Sequence, residues 1–317
     1  MEGAGVSQAA GIQTFRGSEG LFTKPLKGGS VLELFQKDTF GVKATIGIVI
    51  HMLTTGKDPR KAAAHASQVS SLAEIAAQAQ PTAFHKLLGA LQSAGILGRV
   101  YTQNIDDLEI KTGLTTGGNN PNCVQLHGSA MEVICTHCSF TENVYHHFIT
   151  LKSGELPSCP QCESRIEERR IQEKQSLGQG GFLRPSIILY GESHPKGEDI
   201  YELQIIDEKR ADCLLVVGTS LKTFGAVDLI KKLSANLQRN KRGQVYYMDL
   251  ENPPLGLFNV FDHIVRADCQ TFASHMLEEL KKAPSTPLTL FKGEDDLKDW
   301  VNEGNVCNDF RPSWAWV

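Results

Sequence analysis

The sequence has little that would take it into a membrane or onto nucleic acid. Its longest apolar run, Ile46 to Ile50 with a weak extension to Leu53, is far too short to span a bilayer. Aromatic residues make up 7% of the 317 residues, and all three tryptophans (Trp300, Trp314, Trp316) fall in the last stretch. No Lys/Arg-rich run is present. Acids outnumber bases 36 to 32, for a net charge of -4, which excludes a dedicated nucleic-acid binder with a basic face. A basic protein substrate stays compatible with that surface. Cysteine is also sparse: eight residues are too few for a disulfide scaffold. With no stretch that reads as a secretory signal, this favours a reducing compartment and a soluble intracellular protein. There is no internal repeat.

What is present is an ordinary globular composition, 41% apolar and 21% charged, at a length that suits one large domain carrying a smaller one. Four of the cysteines form two Cys-x-x-Cys pairs, Cys135/Cys138 and Cys159/Cys162, with 20 residues between the pairs. That spacing matches a zinc ribbon, in which each knuckle gives two thiolates to one tetrahedral ion. Four thiolates leave no open position for water, so the zinc is structural and stabilises a module too small for its own core. Free buried thiols or redox pairs would need two pairs to fall at ribbon spacing by coincidence. Cys213 has the look of strand core.

Val100-Tyr101-Thr102 turns abruptly into the polar Gln103-Asn104-Ile105-Asp106. This reads as a buried strand whose C-terminal end opens onto a crevice, where α/β sheets bind ligands. An amide and a carboxylate there, Asn104 and Asp106, can hold a polar ligand, and His127 offers a base that titrates near neutrality. Upstream, Gly3, Gly5 and Gly11 would let the backbone approach a phosphate, and Arg16 follows as a partner for anionic groups. A helix with Phe84, Leu87, Leu88 and Leu91 on one face precedes the Val100 strand. The alternation returns after residue 180. Apolar runs at Ser186–Tyr190, Cys213–Val217 and Val245–Met248 each stop at a polar or glycine-rich turn, with helical patterns at Ile200–Arg210 and Ala226–Leu237. That predicts a doubly wound parallel sheet with a dinucleotide crevice. A last helix is predicted over Phe272–Lys282.

Together these residues resemble the sirtuins, NAD-dependent protein-lysine deacylases, over about residues 3 to 282. The resemblance implies a Rossmann-like NAD-binding domain from residues 1–29, 71–132 and 180–285. A helical module at 30–70, a zinc-ribbon module at 133–179 and a C-terminal extension at 286–317 complete the chain. It implies cofactor contacts from Gly3, Ala4, Gly5, Ser7, Gly11, Ile12, Phe15 and Arg16, and from Gln103, Asn104, Ile105 and Asp106. Gly218, Thr219 and Ser220 resemble the ribose and phosphate turn; Asp249, Leu250, Glu251 and Cys269 fall where the family contacts adenosine. Catalysis would rest on His127 and Asn104. His127, as neutral imidazole, takes a proton from a ribose hydroxyl, giving free lysine, nicotinamide and O-acetyl-ADP-ribose. The acetylated protein substrate would bind as an added strand along Leu189, Tyr190, Gly191 and Glu192. The segments around Arg184-Pro185 and Gly17–Phe22 look most like the fungal nuclear sirtuins, which implies histone substrates and a nuclear location, with no direct nucleic-acid or membrane partner.

The sequence also departs from the family. Gln13-Thr14 stands where Pro-Asp is usual, Asp107 where glycine is usual, and Asp249 where asparagine is common. A hydrophobic first strand should precede Gly3, where only Met1 and Glu2 stand. Losing about four buried side chains removes roughly 6–12 kcal/mol, comparable with the stability of a whole domain. The expectation is therefore that this start lacks the central strand and leaves two sheet edges unpaired. A catalytically impaired NAD- or ADP-ribose-binding scaffold stays open as the alternative function.

Overall fold

The computed structural model describes residues 1–17, 19–26, 29–40, 59–173, 180–240 and 243–282. The tryptophan-bearing extension, Cys307, the apolar run at 46–53 and part of the 30–70 module lie outside the described residues.

Strands β1 (Pro25–Leu26) and β2 (Gly29–Ser30) pair antiparallel. Two 3-10 turns follow, Val31–Phe35 and Lys37–Phe40, the first opened by a Ser30/Glu33 capping box. Helix α1 (Pro59–Gln78) starts on a proline, which fits the first turn, where its missing N–H has no partner anyway. Its buried stripe of Ala62, Ala66, Val69 and Ala73 repeats every three to four residues along one helix face. Helix α2 (Ala83–Ser93) buries Phe84, Leu87 and Leu88 and leads to β3 (Val100–Thr102).

Next come β4 (Cys123–Gln125), β5 (Gly128–Cys135), β6 (Thr141–Asn143), α3 (Phe148–Lys152), α4 (Pro160–Ile171) and β7 (Leu183–Ile187). The chain then alternates through α5 (Gly197–Arg210), β8 (Cys213–Val217), α6 (Phe224–Asn240), β9 (Gln244–Asp249), β10 (His263–Arg266) and α7 (Cys269–Lys282).

Strands β8, β9 and β10 are parallel in the order β10-β9-β8, and β3 pairs parallel with β4. The first residues join these halves. Glu2 bridges both Thr102 and Val217 in parallel sense. Glu2 N donates to Tyr101 O (3.0 Å), Gln103 N to Glu2 O (3.0 Å), Val217 N to Met1 O (3.0 Å) and Gly3 N to Val217 O (3.1 Å). The expectation of two unpaired inner edges is thus corrected at the end next to the crevice, where Met1–Gly3 make the central ladder.

Side chains alternate across this sheet. Val217, Met248 and Val265 pack with α2 and α7 on one face; Val216, Val245 and Tyr247 pack with α5 and α6 on the other. Helices on both faces of a parallel sheet make the doubly wound architecture the sequence predicts.

The run Ser186–Tyr190 does not join that sheet. β7 ends at Ile187 and pairs antiparallel with β5, in a separate sheet ordered β6-β5-β7. Apolar content alone cannot tell the two sheets apart, because both bury this run. The second sheet packs with α1 around Leu34, Phe35, Val69, Val133 and Leu183.

Candidate functional site

The site is built at the C-terminal ends of parallel strands, where Met1–Gly3 lie between β3 and β8. Gly3 and Gly5 are pressed against the turn after β8: a Cβ on Gly3 would lie 2.7 Å from Thr219 Cβ, and one on Gly5 2.8 Å from Gly218 Cα. Real contacts never come that close, so only glycine lets these two loops touch. The 3-10 turn Ala4–Ala10 follows and ends at Gly11 in the left-handed region, φ 82°.

The loop after β3 turns inward beside it. Gln103 Nε2 donates to Thr219 Oγ1 (2.8 Å) and Asn104 Nδ2 to Ser7 Oγ (3.1 Å). Three separated segments (3–7, 103–106 and 218–220) therefore share one polar cluster at the C-terminal ends of β3 and β8. Asn104 and Asp106 are buried, at 3% and 5% exposure. Burial, then the nearby Glu109 charge, lifts the Asp106 carboxyl to about 7. Ile105 packs into the core of the second sheet and holds the loop down.

His127 ends the turn between β4 and β5. Its Nδ1 lies 2.9 Å from the Gln103 carbonyl oxygen, which can only accept, so the proton sits on Nδ1 and Nε2 carries the free lone pair. Burial pushes the imidazole below its ordinary value, which keeps it neutral. The next residue, Gly128, has φ 78°, and a Cβ there would fall 2.1 Å from Ser186 O. β7 thus crosses directly over the histidine turn.

The remaining expected residues are placed as follows. Asp249 ends β9, where burial raises its carboxyl, and its Oδ1 accepts from Glu251 N (3.1 Å). Leu250 is exposed, and Cys269 is buried at the start of α7. Ser220 is exposed beside Thr219. Ile12 is half-buried just past Gly11. Phe15 packs on Phe22 and Phe35. The Arg16 guanidinium donates to Tyr190 OH (2.9 Å) and lies over the Phe22 and Tyr190 rings.

Along the expected substrate strand, the Leu189 amide donates to Glu192 Oε2 (3.0 Å), and Glu192 also pairs with Arg184 (3.0 Å). Tyr190 N donates to Phe35 O (2.8 Å) and Tyr190 O accepts from Lys37 N (3.0 Å). Gly191 packs against the Lys37 side chain. A peptide strand adding at Tyr190 needs Gln36–Lys37 to move aside.

The four cysteine sulfurs lie within 4.8 Å of one another, with Cys135–Cys162 at 3.7 Å and Cys138–Cys159 at 3.6 Å. A tetrahedral zinc with Zn–S bonds of about 2.3 Å separates its sulfurs by about 3.8 Å, so the donor set fits. The His137 and Cys138 amides point at Cys135 Sγ (3.3 and 3.5 Å), as a thiolate requires. Gly181 closes over the knuckle, where a Cβ would lie 2.5 Å from Cys135 Sγ.

A sequence profile of the Sir2 family matches residues 3–225. The chain belongs to the Sir2 family. It is 35% identical over 289 residues to the NAD-dependent histone deacetylase HST4 of Saccharomyces cerevisiae, covering 86% of this chain and 73% of that protein. To the NAD-dependent protein deacetylase hst4 of Schizosaccharomyces pombe it is 36% identical, over 90% of this chain and 67% of that one. A solved Sir2 homologue in complex with NAD is similar with a TM-score of 0.63 and 26% identity, over 90% of this chain and 89% of its own. Sir2 membership bears out the sirtuin resemblance, including its likeness to fungal histone deacetylases.

Two departures from the Sir2 pattern are absorbed locally. Asp107 takes φ 59°, a region aspartate tolerates better than most residues, and its Oδ1 accepts from Gln125 Nε2 (2.6 Å). Thr14 Oγ1 donates to the Arg16 carbonyl (2.8 Å). Sequence reasoning missed Thr102, whose Oγ1 accepts from Asn104 N (3.0 Å) and donates to Glu109 Oε1 (2.8 Å). It also assigned no part to Glu109, although three acids in four residues around Leu108, itself fully buried, were a visible signal.

Proposed function

We propose that this Sir2-family chain is an NAD-dependent protein-lysine deacetylase with histone tails as substrates in the nucleus. The observation that carries the reading is His127: a neutral imidazole with Nε2 free, fixed by the backbone of the same loop that carries Asn104 and Asp106. The family membership and the names of the fungal relatives support the reaction; the nuclear location and histone preference rest on those relatives alone. The same domain division is proposed, except that β7 and the first residues of β5 pair in the zinc-bearing sheet and go with the smaller module.

In this reading Gly3–Gly5, Ser7 and Gly218–Ser220 line the phosphate and ribose end of the crevice, and Asp249 offers an acceptor to the adenosine side. Asn104 and Asp106 orient the nicotinamide end. When bound there, NAD would supply the leaving nicotinamide and the electrophilic ribose carbon toward the acetyl oxygen. His127 Nε2 takes the proton of a ribose hydroxyl, and its Nδ1–H stays on the Gln103 carbonyl throughout, so the ring cannot turn away as charge develops. The four-cysteine zinc takes no part in the chemistry; it holds the base of the β6-β5-β7 sheet, whose β5–β7 pair frames His127.

The Asp107 turn and the intact His127 geometry weigh against the scaffold alternative. Nicotinamide release from NAD in the presence of an acetyl-lysine histone peptide tests the proposal. Peptide-dependent release that is lost in His127→Ala supports it, whereas NAD binding without release at any peptide concentration points back to the scaffold.

A further inference from the structure

Behind Asp106 lies a buried cluster of which the proposed reaction uses only Asp106 itself. Ligand-capable atoms of His85 on α2, Asp106 and Glu109 all lie within 4.8 Å of one another, and the three residues are 0%, 5% and 1% exposed. His85 Nε2 and Glu109 Oε2 are buried with no hydrogen-bond partner. The adjoining Glu2, 1% exposed, leaves both its oxygens without one. The Met1 ammonium, whose charge is felt by Glu2, donates its hydrogen bond to Leu215 O (2.9 Å). Glu109 Oε1 accepts from Thr102 Oγ1 and Asp106 Oδ1 from Leu108 N, so the unmet atoms are Glu109 Oε2, His85 Nε2 and the Glu2 oxygens, and leaving buried polar atoms unmet is unfavourable.

The imidazole is held from behind. Thr82 N donates to His85 Nδ1 (3.2 Å), and Thr82 Oγ1 lies 2.7 Å from the same nitrogen and 3.0 Å from Val6 O. A backbone N–H can only donate, so Nδ1 accepts and the neutral ring carries its proton on Nε2, on the side of the two carboxyl groups. Ligation of a cation at Nε2 requires that proton to move to Nδ1, where Thr82 Oγ1 is placed to accept it.

We propose that His85 Nε2, Asp106 and Glu109 form a divalent-cation site under the nucleotide crevice. One imidazole and two carboxylates suit a metal of mixed N/O preference such as Mn²⁺, Fe²⁺ or Zn²⁺ rather than a thiophilic ion. This site is separate from the four-cysteine centre. Since Asp106 belongs to both the cluster and the crevice, occupancy ties the crevice's charge to metal supply. The inference does not depend on the deacetylase reading, and its test needs no turnover.

The probe is Mn²⁺ added to the full chain with its cysteine site already zinc-loaded, free Mn²⁺ being counted by its EPR signal. One saturable equivalent is expected. His85→Gln and Glu109→Gln should each weaken it at least tenfold while bound zinc stays unchanged. Should either variant fold poorly, pulsed EPR on the wild type decides: a ¹⁴N coupling from a bound imidazole is expected. Absence of saturable binding, binding that both folded variants retain, or bound Mn²⁺ without nitrogen coupling overturns the site.

Discussion

The Gln103 carbonyl oxygen and His127 Nδ1 stand 2.9 Å apart, joining the Gln103–Asp106 loop to the proposed base by a contact that no substitution of the Gln103 side chain removes. Burial depresses His127, and the charge of His194 depresses it further when that ring is protonated. The acid limb of kcat/KM should therefore lie below the ordinary histidine value near 6.5. His194→Gln should move it upward with kcat on the plateau little changed. A wild-type limb at or above 6.5 contradicts this description of the base.

Gly128 and Gly11 both have positive φ, at 78° and 82°, but differ in surroundings. Alanine at Gly11 meets nothing within 4 Å, so Gly11→Ala should cost only the backbone term, about 1–2 kcal/mol. Gly128→Ala adds a clash with Ser186 O and should lose clearly more, about 3 kcal/mol or beyond. Urea unfolding of the two variants side by side reads the difference. Equal losses would show that β7 does not cross the histidine turn as described.

Stripping zinc should unfold the β6-β5-β7 region first, since its cysteine knuckles hold Cys135 at the end of β5 and Cys159 at the start of α4. Cys159→Ser should lower zinc content below one per chain and bring loss of activity with it, because β5 and β7 frame His127. Activity that survives complete zinc removal would break that link.

His65 is fully buried between Phe35 and Phe40, with both ring nitrogens unpartnered, and burial lowers it to about 3. The unfolded chain therefore binds a proton that the folded one refuses between pH 6.5 and 3. Its contribution to stability is complete above 6.5 and is lost as the pH falls through that window. Asp106, raised to about 7, acts oppositely, losing stability as pH rises from about 4 to 7. Comparing His65→Leu with wild type cancels the second effect. From pH 7 to 4 the variant should gain on the order of 3 kcal/mol relative to wild type. A constant difference across that range would mean His65 is not buried neutral.

The cysteine ribbon, the glycine loop and the Asn104–Asp106 turn were legible because each needs particular residues at fixed spacing. β10 was not. Its four residues, His263-Ile-Val-Arg266, carry polar ends because among the described residues it is an edge strand paired only with β9, so the buried-strand pattern is absent. The run through Ile187 was legible as a strand but not as a partner of β5, because pairing depends on the distant Gly128–Cys135 segment. Arg16 and Glu192 illustrate a further limit. Their partners within the protein, Tyr190 and Arg184 respectively, lie far off in sequence or across a turn and carry no spacing signal. The His85–Glu109 cluster joins residues 24 apart in sequence on separate elements, a proximity only the fold creates.

The most direct measurement is nicotinamide release from NAD with an acetyl-lysine histone peptide, run on wild type, His127→Ala and Asn104→Ala. The account predicts peptide-dependent release by wild type, a fall of about 10²–10⁴-fold for His127→Ala, and a comparable loss for Asn104→Ala. Wild-type levels of release from folded His127→Ala would contradict the assignment of His127 as the base and the deacetylase reading built on it.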